Sequence, residues 1–424
     1  MVLLVDGGDN ISGEKLQDSI KAEYYYEGLR QLGYRVCGLG EMDLLQGQDY
    51  IHDLMERKEL ELICANLHDA ESGALFAKPY TVQRIGERKV LGMPMGGVRV
   101  GMTSVMMIDD GAKLLPKKPG DRELIVKDPL VAARSAVQEL RGKSDIILCI
   151  AHTGMNEAKE IARSVGGIDM MLVGHGNYRN KEPVIVGKTS VIQPGDQGRM
   201  IAVMEAKVSP QKKVTGVIGT LIALTDTYPD DEPMAKLIAD YRTAIRKANI
   251  VPEWPDMDKE LFVGVETCQG CHTEEHDQWL TTRHAHAWET MVKEEVDTDP
   301  ECVMCHVTGF GRGNGFRHKD VTPKLINVQC EICHGPGKEH YDLITGGGDR
   351  KAKPFHALEP VTEKMCRSCH RDHHDPEFDY AHDIFLVSHR PDELRALLDA
   401  AMGNIPGADP AGSHPPASPD ELSE

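Results

Sequence analysis

The pentapeptide Cys-x-x-Cys-His occurs four times in one stretch of this chain. The copies are Cys268, Cys271 and His272; Cys302, Cys305 and His306; Cys330, Cys333 and His334; and Cys366, Cys369 and His370. This pattern reads as a site for covalent attachment of haem c. Two thiols at i and i+3 can each take one vinyl group of a porphyrin. The His that follows can then turn its imidazole onto the iron as proximal ligand. Zinc is the rival reading, because paired Cys-x-x-Cys motifs also build zinc ribbons. Zinc does not require a His directly after the second Cys. His makes up 19 of 424 residues, so four chance placements are improbable by about five orders of magnitude. A disulfide framework leaves all four His unexplained.

Around these motifs, from about residue 263 to 390, His and Cys are dense and aliphatic residues thin out. Such a stretch cannot build a conventional core of Leu and Val. Four porphyrins can form the core instead, with short helices carrying the motifs and loops between them. The three remaining thiols, Cys37, Cys64 and Cys149, lie in apolar strand-like runs and read as buried structural residues.

Residues 1–250 alternate apolar strands with amphipathic helices. The pattern predicts helices over 14–32, 128–140, 156–165 and 232–248. It predicts strands over 2–5, 36–39, 60–65, 98–105, 145–151 and 170–173, then a run of strands from 183 to 224. Strands with crossover helices followed by a β-run imply a layered α/β sandwich. Asp9, Asn66, His152, His175 and Asn177 fall at strand ends, where such folds place chemistry. Residues 251–262 carry Pro and polar residues and read as a linker. Residues 391–402 read as a short helix. Residues 403–424 are rich in Pro, Ala, Ser and Asp and read as a disordered tail.

The formal charge of −19 argues against nucleic acid and anionic membranes as partners, and fits a redox partner with a basic docking patch. No stretch is long and apolar enough to span a membrane. Covalent haem attachment is normally completed outside the cytoplasm, so the expected location is periplasmic or extracellular. No signal sequence is visible in MVLLVDGGDN. The expected oligomeric state stays open.

Two resemblances organise these readings. The phrases LLVDGGDNISG, GLGEMDL, ICANL, VRVGMTSV, AHTGMNEAKEIA and GIDMMLVGHGN resemble, in order and spacing, the metallophosphoesterase domain of the 5'-nucleotidase family. In that family two metal ions share a bridging carboxylate and activate water for attack on phosphorus. The resemblance implies a bridging role for Asp9, and a second metal held by His152, His175 and Asn177. It also implies that the family's first metal motif and first strand would precede residue 1. The family's Gly-Asn-His-Glu motif reads here Gly38-Leu39-Gly40-Glu41. Leu39 and Gly40 can neither bind metal nor donate a side-chain hydrogen bond. Loss of the oxyanion donor alone is expected to cost about two to three orders of magnitude in rate. The expectation is a degenerate site, with a nucleotide phosphohydrolase as an alternative function.

The phrases DPECVMCHVTGFGRGNGF, VQCEICHGPG and MCRSCH, with Trp279, Thr282, His284 and Ala285, resemble the cytochrome c-554 family of tetrahaem electron carriers, over roughly 263–390. The resemblance implies distal iron ligands at His284, His340 and His389, with His340 serving the first motif across space. His286 competes with His284, and His374 is a further candidate beside the fourth motif. It also implies that the haem of the second motif, on His306, lacks a distal His. The expected function is electron transfer between extracytoplasmic redox partners. The alternative is a redox enzyme acting on a small nitrogen or oxygen species at that open iron.

Overall fold

The computed structural model describes residues 2–90, 93–108, 113–114, 118–225, 227–346, 361–371 and 375–390. Two compact units divide the chain, Met1–Lys247 and Ala248–Glu424. The helix expected over 391–402, the tail over 403–424 and the candidate ligand His374 lie outside the described residues.

The first unit begins with β1 (Val5–Asp6), α1 (Leu16–Leu32), β2 (Val36–Gly38), α2 (Gln48–Arg57) and β3 (Glu61–Ile63). These strands form a parallel three-stranded sheet in the order β1-β2-β3. After β4 (Leu67–Asp69) come the long antiparallel strands β5 (Tyr80–Val90) and β6 (Met93–Met106), then β7 (Lys113–Leu114) and β8 (Leu124–Val126). The series continues through α3 (Pro129–Leu140), β9 (Ile146–His152), α4 (Met155–Ser164), β10 (Met170–Val173), β11 (Val184–Val186) and β12 (Thr189–Ile192). A six-stranded sheet runs β11-β12-β10-β9-β6-β5.

Alternation along the strands explains the layering. In β9, Ile146, Leu148 and Ile150 face one way and pack with Val36 and Ile63 of the small sheet. The intervening Ile147, Cys149 and Ala151 face the other way, onto Ala133, Val137 and Leu140 of α3 and Ile161 of α4. Cys37 and Leu62 of the small sheet turn outward onto Tyr26 of α1 and Leu54 of α2. The result is two facing sheets with helices on both outer faces, the α/β sandwich expected. Asp128 caps α3 by accepting from the Leu130 and Val131 amides, with Pro129 in the first turn. Two further strands, Met200–Val208 and Val214–Ala223, pair as a hairpin whose Met204, Ala206 and Val208 pack on the inter-sheet core. The helix Glu232–Ala248 buries Ile245 and sets Tyr241 edge-on against Tyr24 at 5.8 Å.

Sequence reading missed α2 and β5, and the short strands β4, β7 and β8. The α2 segment is short and half polar. The β5 segment, YTVQRIGERKV, is an edge strand whose charged residues mask its alternation. Asn66, expected near chemistry, is structural. Its fully buried amide donates to the Met106 and Lys127 carbonyls at 2.7 Å each, and its Oδ1 accepts from the Met106 amide at 2.9 Å. It joins the ends of β3, β6 and β8. Asn66→Ala is expected to destabilise the unit by about 3–5 kcal/mol, because the buried Met106 amide and carbonyl and the part-buried Lys127 carbonyl lose their bonds. Urea unfolding followed by circular dichroism checks this, and a loss below about 1 kcal/mol would contradict it.

The second unit is helical and loop-rich. The four motifs sit on short helices, Val265–Gln269, Pro300–His306, Cys330–His334 and Glu363–Cys366, the first and last ending inside the motif. Among the described residues its one apolar cluster is small: Phe262, Met291, Val303, Val307, Phe316 and Leu325. The segment read as a linker is packed within this unit. Trp254 Nε1 donates to the Gly313 carbonyl at 2.7 Å, Arg317 Nε donates to the Pro252 carbonyl at 2.9 Å, and Asn314 Oδ1 accepts from the Leu261 and Phe262 amides. Buried Glu331, inside the third motif, accepts from the Val263, Gly264 and Gly337 amides. That carboxylate ties the start of the unit to the third motif. Among the described residues no helix is long and apolar enough to cross a membrane.

Candidate functional site

Two clusters carry chemistry, one in each unit. In the first unit, Asp9 follows β1, Glu41 follows β2, His152 ends β9 and His175 follows β10. All four therefore stand at carboxyl ends of parallel strands, two from each sheet. One ligand atom from each lies within 4.8 Å of the others. His152 Nε2 is 3.1 Å from Asp9 Oδ2, 3.4 Å from Glu41 Oε2 and 3.1 Å from His175 Nδ1. The other nitrogen, His152 Nδ1, is 2.9 Å from the Gly7 carbonyl, which orients the ring.

The backbone is built for close approach. Asp9 itself sits in the left-handed region (φ 61°). A Cβ on Gly8 (φ 90°) would come within 2.6 Å of the Gly40 amide nitrogen, so only Gly lets the two loops meet. Fully buried Asp43 clamps them together. Its carboxylate accepts from the amides of Asp9, Asn10 and Gly40 and from the Tyr26 hydroxyl. Burial pushes the Asp43 carboxyl up to about 6, against those backbone donors. Burial lowers the His152 imidazole, but its bonds to Asp9 and Glu41 outweigh this and push it up to about 10. Burial likewise opposes ionisation of Asp9, and the bond to His152 prevails, holding its carboxyl below the usual range.

The expected residues are only partly brought together here. Asp9, His152 and His175 converge. Asn177 is exposed on the loop beyond His175. Glu41, which takes part in the cluster, was not named from sequence. Its position beside the lost Leu39 and Gly40 was the available signal. Leu39 itself is fully buried in the apolar core.

In the second unit, three imidazole pairs face each other. His272 and His340 have ring centroids 6.3 Å apart, His370 and His284 6.0 Å, and His334 and His389 6.1 Å. Two His–metal bonds of about 2 Å and two ring radii of about 1.1 Å add to roughly 6 Å. The pairs thus have the spacing that an iron between them requires. Several of these rings are oriented from behind. His370 Nδ1 is 2.7 Å from Asp375 Oδ2, and His389 Nδ1 is 2.7 Å from Gln278 Oε1. His306 Nδ1 is 2.9 Å from the Ala287 carbonyl. Among the described residues no imidazole pairs with His306. His286 contacts Glu289 and the Leu280 carbonyl instead of a motif His; the adjacent His284 is the one that faces a motif.

The motifs also meet through their thiols. Cys268 lies beside Cys330, and Cys305 beside Cys369, all of them free thiols. Cys333 lies close enough to Cys366 and Cys369 to feel their charge, and burial pushes it up to about 11. The spatial order of the motifs is therefore first, third, fourth, second.

Two facing sheets with strand-end His and carboxylates, and a unit with four Cys-x-x-Cys-His motifs, have the features of a phosphoesterase-like fold and of a c-type cytochrome. Comparison with known proteins gives the same two classes. Residues 267–335 match the family described as cytochrome c554 and c-prime. Cytochrome c-554 of Nitrosomonas europaea is 30% identical over 139 residues, which are 26% of this chain and 57% of that protein. A 5'-nucleotidase of Vibrio parahaemolyticus is 26% identical over 218 residues, 46% of this chain and 35% of that protein. The chain thus spans little more than half of the first and about a third of the second. Among solved structures, a calcineurin-like phosphoesterase from Bacillus subtilis is similar over 57% of this chain and 83% of its own, at 19% identity and a TM-score of 0.46.

Proposed function

We propose that this protein carries electrons between extracytoplasmic redox partners through four haems of the second unit. The observation that carries the reading is the set of three imidazole pairs about 6 Å apart. Bound haem would supply a one-electron ferric/ferrous couple at each motif. The Cys pairs at 268/271, 302/305, 330/333 and 366/369 would tether the porphyrins. His272, His306, His334 and His370 would be the proximal ligands. His340, His389 and His284 would close the far side at the first, third and fourth motifs. A second imidazole saturates the iron and keeps small molecules away, which suits transfer rather than bond chemistry. The contacts between motifs in the order first, third, fourth, second would keep successive porphyrins close.

His286 and Asn177 have no part in this reading, and His374 keeps its place as a further candidate. The acidic chain, with net charge −19, fits a redox partner with a basic docking patch. The phosphoesterase-like unit would serve as platform rather than hydrolase, because Leu39 and Gly40 supply neither ligand nor oxyanion donor. Protein with covalent haem is expected to take up four electrons per chain in a reductive titration and return them to an oxidised small-protein acceptor. Uptake of fewer than four, or reduction that cannot be passed on, would overturn the reading.

One observation favours a second activity. His306 is oriented by the Ala287 carbonyl, yet no described imidazole stands opposite it. That position would bind a small nitrogen or oxygen species. Binding of carbon monoxide to about one haem per reduced chain would support it, and no binding would remove it.

A further inference from the structure

We propose that Glu331 tunes the redox chemistry of the second unit: its buried carboxylate lowers the reduction potentials at the first and third motifs together. The inference rests on the haem reading of this unit and deepens it, by giving one side chain a set task within it.

Three observations lead there. The first is a buried anion held in place by backbone. Glu331 lies between Cys330 and Cys333 of the third motif and is buried. Its Oε1 accepts from the Gly337 amide at 2.7 Å and the Val263 amide at 3.0 Å, and its Oε2 accepts from the Gly264 amide at 2.9 Å. Both oxygens accept, as those of a carboxylate do. Lys338, the residue after Gly337, is taken by Asp342 and Glu260 instead. The second observation is that this charge faces two motifs. Gly264, whose amide it holds, also receives the Cys268 thiol on its carbonyl at 3.6 Å. Cys268 and Cys330 lie side by side, and the carboxylate is close enough for both to feel its charge. In the proposed function those two sulfurs tether different porphyrins. The third observation is that the other thiol junction has the opposite sign. Cys305 and Cys369 both feel the guanidinium of Arg371.

An electron arriving at the first or third motif adds negative charge beside a fixed anion. The repulsion is weakly screened in a water-poor interior. One unit charge there is expected to shift each ferric/ferrous equilibrium about tenfold, which is about 59 mV for one electron. The bias moves electrons away from the first and third motifs, toward the fourth and second.

The test uses the full haem-loaded chain carrying Glu331→Gln, in a redox titration followed by electron paramagnetic resonance. The potentials of the first and third haems should each rise by about 59 mV, and the other two should stay in place. Repeating it in a His284→Ala background makes the assignment, because the haems that remain low-spin are then the first and third. The direction of the shift separates charge from structural support. A loosened backbone would admit water, which favours the charged ferric form and lowers the potential; loss of the anion raises it. If Glu331→Gln does not load haem, Glu331→Asp decides. It keeps the charge but draws it back from Gly264 toward its own helix, so the first potential should rise more than the third. Unchanged or lowered potentials at the first and third motifs, or equal shifts at all four, would overturn the proposal, as would a first potential that does not rise in Glu331→Asp. Four haems with unmoved potentials would overturn it alone, whereas a chain without haem would overturn the electron-carrier reading as well.

Discussion

Replacing His340 with Ala is expected to turn one haem of the oxidised protein from low-spin to high-spin. The ring of His340 stands 6.3 Å from that of His272. In the proposed function its loss would remove the sixth ligand from the iron of the first motif and leave a position open to water or small molecules. His284→Ala should do the same at the fourth motif and His389→Ala at the third, because their rings face His370 and His334 at 6.0 and 6.1 Å. In each case the high-spin signal in electron paramagnetic resonance should rise from about one haem per chain to about two. His286→Ala serves as the comparison. Its imidazole contacts Glu289 and a carbonyl, so the spectrum should not change. A series in which His286→Ala behaves like His284→Ala would contradict the pairing.

Removing both thiols of the third motif, Cys330→Ala with Cys333→Ala, should have the largest effect on stability. One haem should be lost, leaving three, and the unit should unfold at much lower temperature. The third motif lies beside the first through Cys330 and beside the fourth through Cys333. It also holds Glu331, whose carboxylate gathers three backbone amides from residues 263, 264 and 337. Aliphatic packing cannot compensate, because among the described residues the apolar cluster of this unit has only six fully buried members. A large flat apolar group missing from the middle leaves a cavity that six side chains cannot fill. Haem content by pyridine haemochrome and thermal unfolding by circular dichroism read both effects. Retention of four haems, or an unchanged transition, would show that the motif is not an attachment site.

The Cys-x-x-Cys-His motifs were legible because covalent haem attachment needs two thiols and an imidazole within five consecutive residues. Distal ligands come from distant sequence, and only resemblance pointed to His284, His340 and His389. Between neighbours such as His284 and His286, the local 3-10 turn at Arg283–His286 decides which ring faces the motif, and no spacing rule reveals that. In the first unit, the layers were legible from alternation in β9 and the cap at Asp128. The cluster of Asp9, Glu41, His152 and His175 was half legible. Asp9, His152 and His175 carry motif positions. Glu41 enters only because Gly40 lets its loop approach, which is a packing fact. Asn66 and Asn177 illustrate the reverse case: both are polar at strand ends, yet one is a buried backbone clamp and the other an exposed loop residue.

The account's central claim is a tetrahaem electron carrier with three bis-imidazole irons and one open iron. The most direct measurement is an optical and electron paramagnetic resonance spectrum of the oxidised protein, with haem counted against protein. The expected result is four haems per chain, three low-spin and one high-spin. Four low-spin haems would contradict the open position at His306. Absence of haem from protein made in a host with a competent attachment system would contradict the claim itself and return the four motifs to zinc.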